Sequence, residues 1–168
     1  MKSRGFTLIE LLVVLVIIGI IVSFASMAIG DNRGEQLEQE ARRLAALLQL
    51  ASDESVLTAA PVGVRFYNDG YSFLRRQGDE WQSIEDDRQL RSRELPEPLY
   101  ADLVVNGDAG KPASAGLQAK KGEQPQAIFV SSGELEPGFE VSLAHPDLER
   151  SYRIVALPDG RFEFHAED

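Results

Sequence analysis

One carboxylate constrains this chain more than any other residue. Residues 6–29 are apolar except for Thr7, Glu10, Gly19, Ser23 and Ser26. A run of that length matches the ~20 residues a helix needs to cross a bilayer. A carboxylate near its start costs roughly 2.5–3.5 kcal/mol inside a membrane and is retained when something pairs with it. Lys2 and Arg4 precede the run. By the positive-inside rule the N-terminus stays cytoplasmic and the bulk of the chain is exported. A secretory signal peptide is the plain alternative, with an apolar core at 11–22 and a small-x-small site at Ser26-Met27-Ala28. Glu10 beside that core argues against it, as does the helical pattern that continues afterwards. A simple anchor explains the apolarity but not the acid.

The remaining length allows one globular domain of 168 − 30 residues at most, enough for a single core. The net charge is −10, and loss of Lys2 and Arg4 with a leader makes it more negative by two. Such a domain repels phosphate backbones, so nucleic acid is not an expected partner. With no cysteine, the domain holds together by packing alone.

After the apolar run, Leu37, Ala41, Leu44, Leu48 and Ala51 recur at spacings of three and four. That period predicts an amphipathic helix, with Glu35, Glu38, Glu40, Arg42 and Arg43 facing water. Asp31 and Asn32 suit a cap, and Gly30 and Gly34 predict a kink or break near 30–34. Pro61 marks the stop. The period then changes to two. Val62, Val64 and Phe66 alternate, Asn68-Asp69-Gly70 reads as a turn using a positive φ at Gly70, and Tyr71 and Phe73 alternate. Further strands are expected around Trp81/Ile84, Leu99–Val105, Ile128/Val130, Phe139/Val141/Leu143 and Tyr152/Ile154/Ala156. Pro158-Asp159-Gly160 turns the chain into Phe162/Phe164. Residues 106–126 read as a mobile loop. The expected class is α+β, a long N-terminal helix packed on an antiparallel sheet domain. Its divisions are a leader at 1–5, an apolar helix at 6–29, its amphipathic continuation at 30–60 and a β domain at 61–168.

The start of the chain, Lys2-Ser3-Arg4-Gly5 followed by Phe6-Thr7-Leu8-Ile9-Glu10, resembles the class III signal of type IV pilins and type II secretion pseudopilins. The resemblance implies cleavage between Gly5 and Phe6 by a membrane-embedded prepilin peptidase, and N-methylation of Phe6. It also implies an assembly role for Glu10, paired with the methylated amine of a neighbouring subunit. A second stretch, Phe129-Val130-Ser131-Ser132-Gly133-Glu134 with Pro137-Gly138-Phe139, is similar to a pattern in H-type minor pseudopilins. Ser131 stands where that pattern has Pro, and Gly138 separates Pro137 from Phe139. An ordinary hairpin turn at Ser132-Gly133 would also account for it. The H-type resemblance implies a pilin-like fold and a structural role near the tip of a periplasmic pseudopilus. Its implied partners are the other minor and the major pseudopilins, the inner membrane and secreted proteins.

A minor pilin of the FimT/FimU kind shares the leader and helix. Some such proteins bind DNA through a basic C-terminal region, whereas this chain ends acidic, Arg161 to Asp168. No catalytic centre or cofactor site is expected. His145 and His165 fall in or near exposed turns and the C-terminal tail. The clusters Glu85-Asp86-Asp87 and Glu167-Asp168 show no ligand spacing for calcium, and Arg75-Arg76 and Lys120-Lys121 are isolated pairs.

Overall fold

The computed structural model describes residues 8–28, 32–105 and 124–168. The chain divides into two compact units, one ending at Asn32 and one running from Arg33 to Asp168. In the first unit, α1 (Leu8–Ala28) carries large apolar side chains that are 41–84% exposed between Leu8 and Val22. A helix apolar on all sides has no water-facing stripe of its own. Ser23 donates its hydroxyl hydrogen bond to the Gly19 carbonyl at 2.9 Å, so this polar group is satisfied within the helix. Among the described residues no helix is long and apolar enough to cross a membrane.

The second unit opens with α2 (Arg33–Leu57). Its predicted stripe is the observed one: Leu37, Ala41, Leu44, Leu48 and Ala51 are fully buried, joined by Leu47, Ser52 and Ser55. α2 begins at Arg33, so Gly34 lies inside its first turn, whereas Gly30 and Asp31 fall outside the described residues. Glu40 departs from expectation. It is buried, and Arg43 neutralises it through a 2.6 Å ion pair. Arg42 pairs with Glu38 at 2.8 Å and lies over the Phe164 ring at 5.3 Å. At the other end Ala59 adopts φ 53°. Ala60 N–H bonds the Ser55 carbonyl and Ala59 N–H that of Val56. This is a Schellman closure with alanine in the position glycine usually takes.

Two antiparallel sheets receive α2. The first runs in the order β3 (Glu80–Ser83), β2 (Gly70–Gln77), β1 (Val62–Tyr67), β6 (Ala127–Phe129), β7 (Leu135–Glu136). The short β4 (Arg93–Glu94) also pairs with β2. The second sheet runs β10 (Phe162–Glu167), β9 (Ser151–Ala156), β8 (Phe139–Ala144), β5 (Tyr100–Val105). The sheets meet where Ala101 N–H bonds the Asn68 carbonyl, and Phe66 packs edge-on against Phe139 at 5.2 Å. The class is α+β, as expected.

Several local readings change. Tyr67 pairs with Gly70, so Asn68 and Asp69 form the turn and Gly70 is a strand residue. Its φ is not positive. Glycine is needed there because a Cβ would run into the Arg93 carbonyl of β4. On β6 the core side is Ala127 and Phe129, one residue out of phase with the expected Ile128 and Val130. With a period of two, a shift of one residue exchanges the faces. Trp81 is buried but lies outside the main core, whereas Ile84 belongs to it. The expected loop lies outside the described residues over 106–123. At its end, Gln126 is fixed to β1 by its own N–H to the Val64 carbonyl and by its side chain, whose Oε1 accepts from Phe66 N–H at 2.6 Å.

Candidate functional site

Two regions carry the functional reading. The first is α1. Glu10 stands in its first turn, exposed, on a helix otherwise built of exposed aliphatic side chains. A carboxylate suits the N-terminal turn, where the helix dipole is positive. Gly5 and Phe6 lie outside the described residues.

The second region is the stretch 129–139, which carries the chain from one sheet to the other. Phe129 ends β6 and packs against Phe162 at 6.1 Å. Val130 to Gly133 then form a tight turn, with Gly133 N–H bonded to the Val130 carbonyl at 2.9 Å and Gly133 at φ +90°. Glycine takes that conformation at no steric cost. Val130 N–H bonds the Glu134 carbonyl and closes the hairpin, and the Ser132 hydroxyl donates to Glu134 Oε2 at 3.1 Å. Leu135 and Phe139 are buried. Gly138, which interrupts the expected Pro-Phe pairing, sits where a Cβ would press on the Ala156 carbonyl and the Pro158 ring.

This hairpin does not stand alone. The expected Pro158-Asp159-Gly160 turn forms, with Gly160 at φ +80° and its N–H bonded to the Leu157 carbonyl. The two turns meet, since a Cβ on Gly160 would collide with the Gly133 carbonyl, and Leu135 N–H bonds the Pro158 carbonyl at 2.9 Å. From the helix side, Ser55, fully buried, donates to the Ser52 carbonyl at 2.7 Å and approaches the Val130 carbonyl at 3.3 Å. Ser55 continues the three-and-four spacing of the stripe, four residues after Ala51, but its polar side chain leaves it out of a reading of apolar residues. Val56 and Leu57 beside it remain exposed. The end of α2, the 130–133 turn and the 157–160 turn thus form one corner.

Several of the remaining candidates have structural partners. His145 is buried, contrary to the exposed position expected, and its Nδ1 accepts from Asp147 N–H at 3.0 Å. That turn is tied to the start of α2 by the Arg33–Asp147 pair at 2.9 Å. His165 lies on β10, 3.3 Å from Glu163. In the acidic cluster, Asp87 accepts backbone N–H bonds from Leu90 and Gln89, which hold its carboxyl below the usual aspartate range. Glu85 accepts from Ser92. At the tail, Arg153 pairs with Glu167 and Arg150 with Asp168. Arg76 lies 3.6 Å from Asp79, and Lys120-Lys121 falls outside the described residues. Among the described residues, no group of three or more metal-binding side chains converges.

Matches to known families span both regions. Residues 40–160 match the family described as type II transport protein GspH, and residues 1–26 match the prokaryotic N-terminal methylation motif. A type II secretion system protein H from Pseudomonas aeruginosa is 39% identical over 150 residues, covering 84% of this chain and 83% of that protein. The protein of the same description from Aeromonas hydrophila is 29% identical over 166 residues, covering 94% and 90%. Among solved structures, the minor pseudopilin EpsH of Vibrio cholerae superposes with a TM-score of 0.66 at 24% identity, over 80% of this chain and 96% of that one. The type IV minor pilin FimU of Pseudomonas aeruginosa superposes with a TM-score of 0.53 at 16% identity, over 80% and 91%, a likeness of fold alone. The match over residues 40–160, with the methylation motif ahead of it, places this chain in the GspH family of type II secretion minor pseudopilins.

Proposed function

We propose that this chain is a structural subunit at or near the tip of the type II secretion pseudopilus, where it helps drive folded proteins across the outer membrane. Family membership over residues 40–160 is the observation that carries this reading. The leader 1–5 is removed between Gly5 and Phe6 by prepilin peptidase, and the new amine on Phe6 is methylated. Residues 6–29 anchor the chain once in the inner membrane, N-terminus inside, and 61–168 form a periplasmic β domain reached through the helix at 30–60. Other minor pseudopilins and the major one are its partners. The role is mechanical rather than enzymatic, and the acidic surface disfavours nucleic acid.

Glu10 sets subunit register in this scheme. In a filament the apolar faces of α1 bury one another, and a dry carboxylate needs a cation. The Phe6 amine of a neighbour supplies it, since methylation keeps the charge. Losing one partner of a buried pair costs about 3–5 kcal/mol. Glu10→Ala is therefore expected to insert and be cleaved normally, yet to fail to co-purify with the other pseudopilins. Normal co-purification refutes the role. A clean deletion in the native host tests the system itself. Exoproteins trapped in the periplasm with intact twitching motility are expected. Lost motility with normal secretion would move the chain to the type IV pilus.

A further inference from the structure

We propose that the free edge of β10 is a docking site for an extended strand of another protein, one whose side chains alternate between apolar and basic. β10 ends the second sheet on one side and has a single neighbour, β9. Its six residues run in unbroken register with Ser151–Ala156 and include neither proline nor lysine. Folded proteins commonly guard a strand edge with such residues, with bulges or by keeping it short, because an open edge templates pairing with another chain. The other edges are shorter or occupied. β3 has four residues and β7 two, and β5 is tied to the first sheet by the bond from Ala101 N–H to the Asn68 carbonyl.

The ladder fixes which backbone groups the edge offers. Leu157 N–H bonds the Arg161 carbonyl where the hairpin closes. Bonded pairs alternate along an antiparallel ladder, so Glu163, His165 and Glu167 bond β9, while Phe162, Phe164 and Ala166 turn their N–H and C=O groups outward. Among the described residues no hydrogen bond reaches those outward groups. None of the six residues is buried, so a second strand has access to them. The side chains then select the partner. Phe162 and Phe164 are half-buried on the face that carries Phe129 and Tyr152, and apolar residues of an added strand would cover them. Glu163 and Glu167 lie on the opposite face, where the register also places Glu140 and Asp102. Arg153 is the one arginine that these strands place on that face. It pairs with Glu167 and Glu140 and so does not balance Glu163 and Asp102. Opposite charges stabilise facing positions on paired strands and like charges destabilise them. A second copy of β10 would bring two more glutamates to the seam, whereas a basic strand neutralises those already there.

The edge is tested on the full ¹⁵N-labelled chain in non-ionic detergent micelles, without partner subunits, so that failure here leaves the assembly role standing. The probe is a capped peptide of alternating lysine and valine. Saturable shifts and slowed hydrogen exchange at the Phe162, Phe164 and Ala166 amides are expected. The same peptide with N-methylated valines keeps its charge but loses the donors that face β10, and it should bind at least about tenfold more weakly. Its counterpart with glutamate in place of lysine should not bind. Ala166→Pro removes one outward N–H and no bond to β9, and should weaken the lysine peptide at least about fivefold. Should that variant not fold, Glu163→Lys, at an exposed position, supplies the second comparison with the same weakening expected. Equal affinity for the parent and N-methylated peptides overturns the proposal, and so does unchanged affinity in the variants. Protection of the same three amides that grows with protein concentration alone would assign the edge to a second copy and overturn it as well.

Discussion

Gly160→Ala is expected to destabilise the folded unit far more than an exposed turn substitution would. Two costs combine. Gly160 sits at φ +80°, where an L-residue with a Cβ loses about 1–2 kcal/mol. The new Cβ also meets the Gly133 carbonyl, which is backbone and cannot rotate away. Both turns must then shift, and overpacking of that kind costs roughly 1–3 kcal/mol. The stiffer unfolded chain returns about 0.4–1 kcal/mol. The net loss is roughly 2–4 kcal/mol. For a urea slope of about 2 kcal/mol/M the midpoint falls by about 1–2 M. Trp81, the only tryptophan and nearly buried on β3, reports the transition by fluorescence in the full chain held in micelles. Gly34→Ala is the control. Nothing lies within 4 Å of its Cβ position, and helix propensity favours alanine by about 0.5 kcal/mol or more. A Gly160→Ala midpoint within about 0.2 M of the parent would show that the two turns do not bear on each other. Equal losses in both variants would refute the steric argument.

Ala59→Gly should stabilise the folded unit by up to about 1 kcal/mol, because it relieves a Cβ in the left-handed region at the end of α2; a lowered urea midpoint would contradict this. Acid should weaken the fold through Asp87. Backbone N–H bonds lower its folded value, so its contribution is complete above about pH 4 and fades as pH falls through that depressed value. Asp87→Asn is expected to flatten the stability profile below pH 4 and leave the plateau near pH 7 little changed in slope. An identical acid limb in the two proteins would assign the loss to other carboxylates, such as Glu38 and Asp159, which arginine neighbours also hold low.

Much of the architecture was legible because its causes are local. The 3.6-residue period of Leu37, Ala41, Leu44, Leu48 and Ala51 needs only a helix and one buried side to become visible, and all five are buried. The two-residue period served as well for Phe139, Val141 and Leu143, and for Tyr152, Ile154 and Ala156. It failed on β6 because three residues are too few to fix a face, and because β1 is buried on both sides. Glu40 and His145 read as exposed by residue type. Each is buried because a neighbour, Arg43 or the Asp147 N–H, satisfies it, and such pairing leaves no periodic trace. The strands β4 and β7, two residues each, have no sequence signature at all.

By itself the sequence determined the apolar helix with its single acid, the stripe that seats α2 on a sheet, and the turns written in Pro, Asp and Gly. These depend on residues within a few positions of one another. Only the tertiary structure decided why Gly70 and Gly138 must lack side chains, and that the 133 and 160 turns share one corner under Ser55. It also decided that β10 stands at the edge of its sheet. Those outcomes depend on which backbones pass within a few ångströms of each other after the chain has folded, and distance along the sequence carries no record of that.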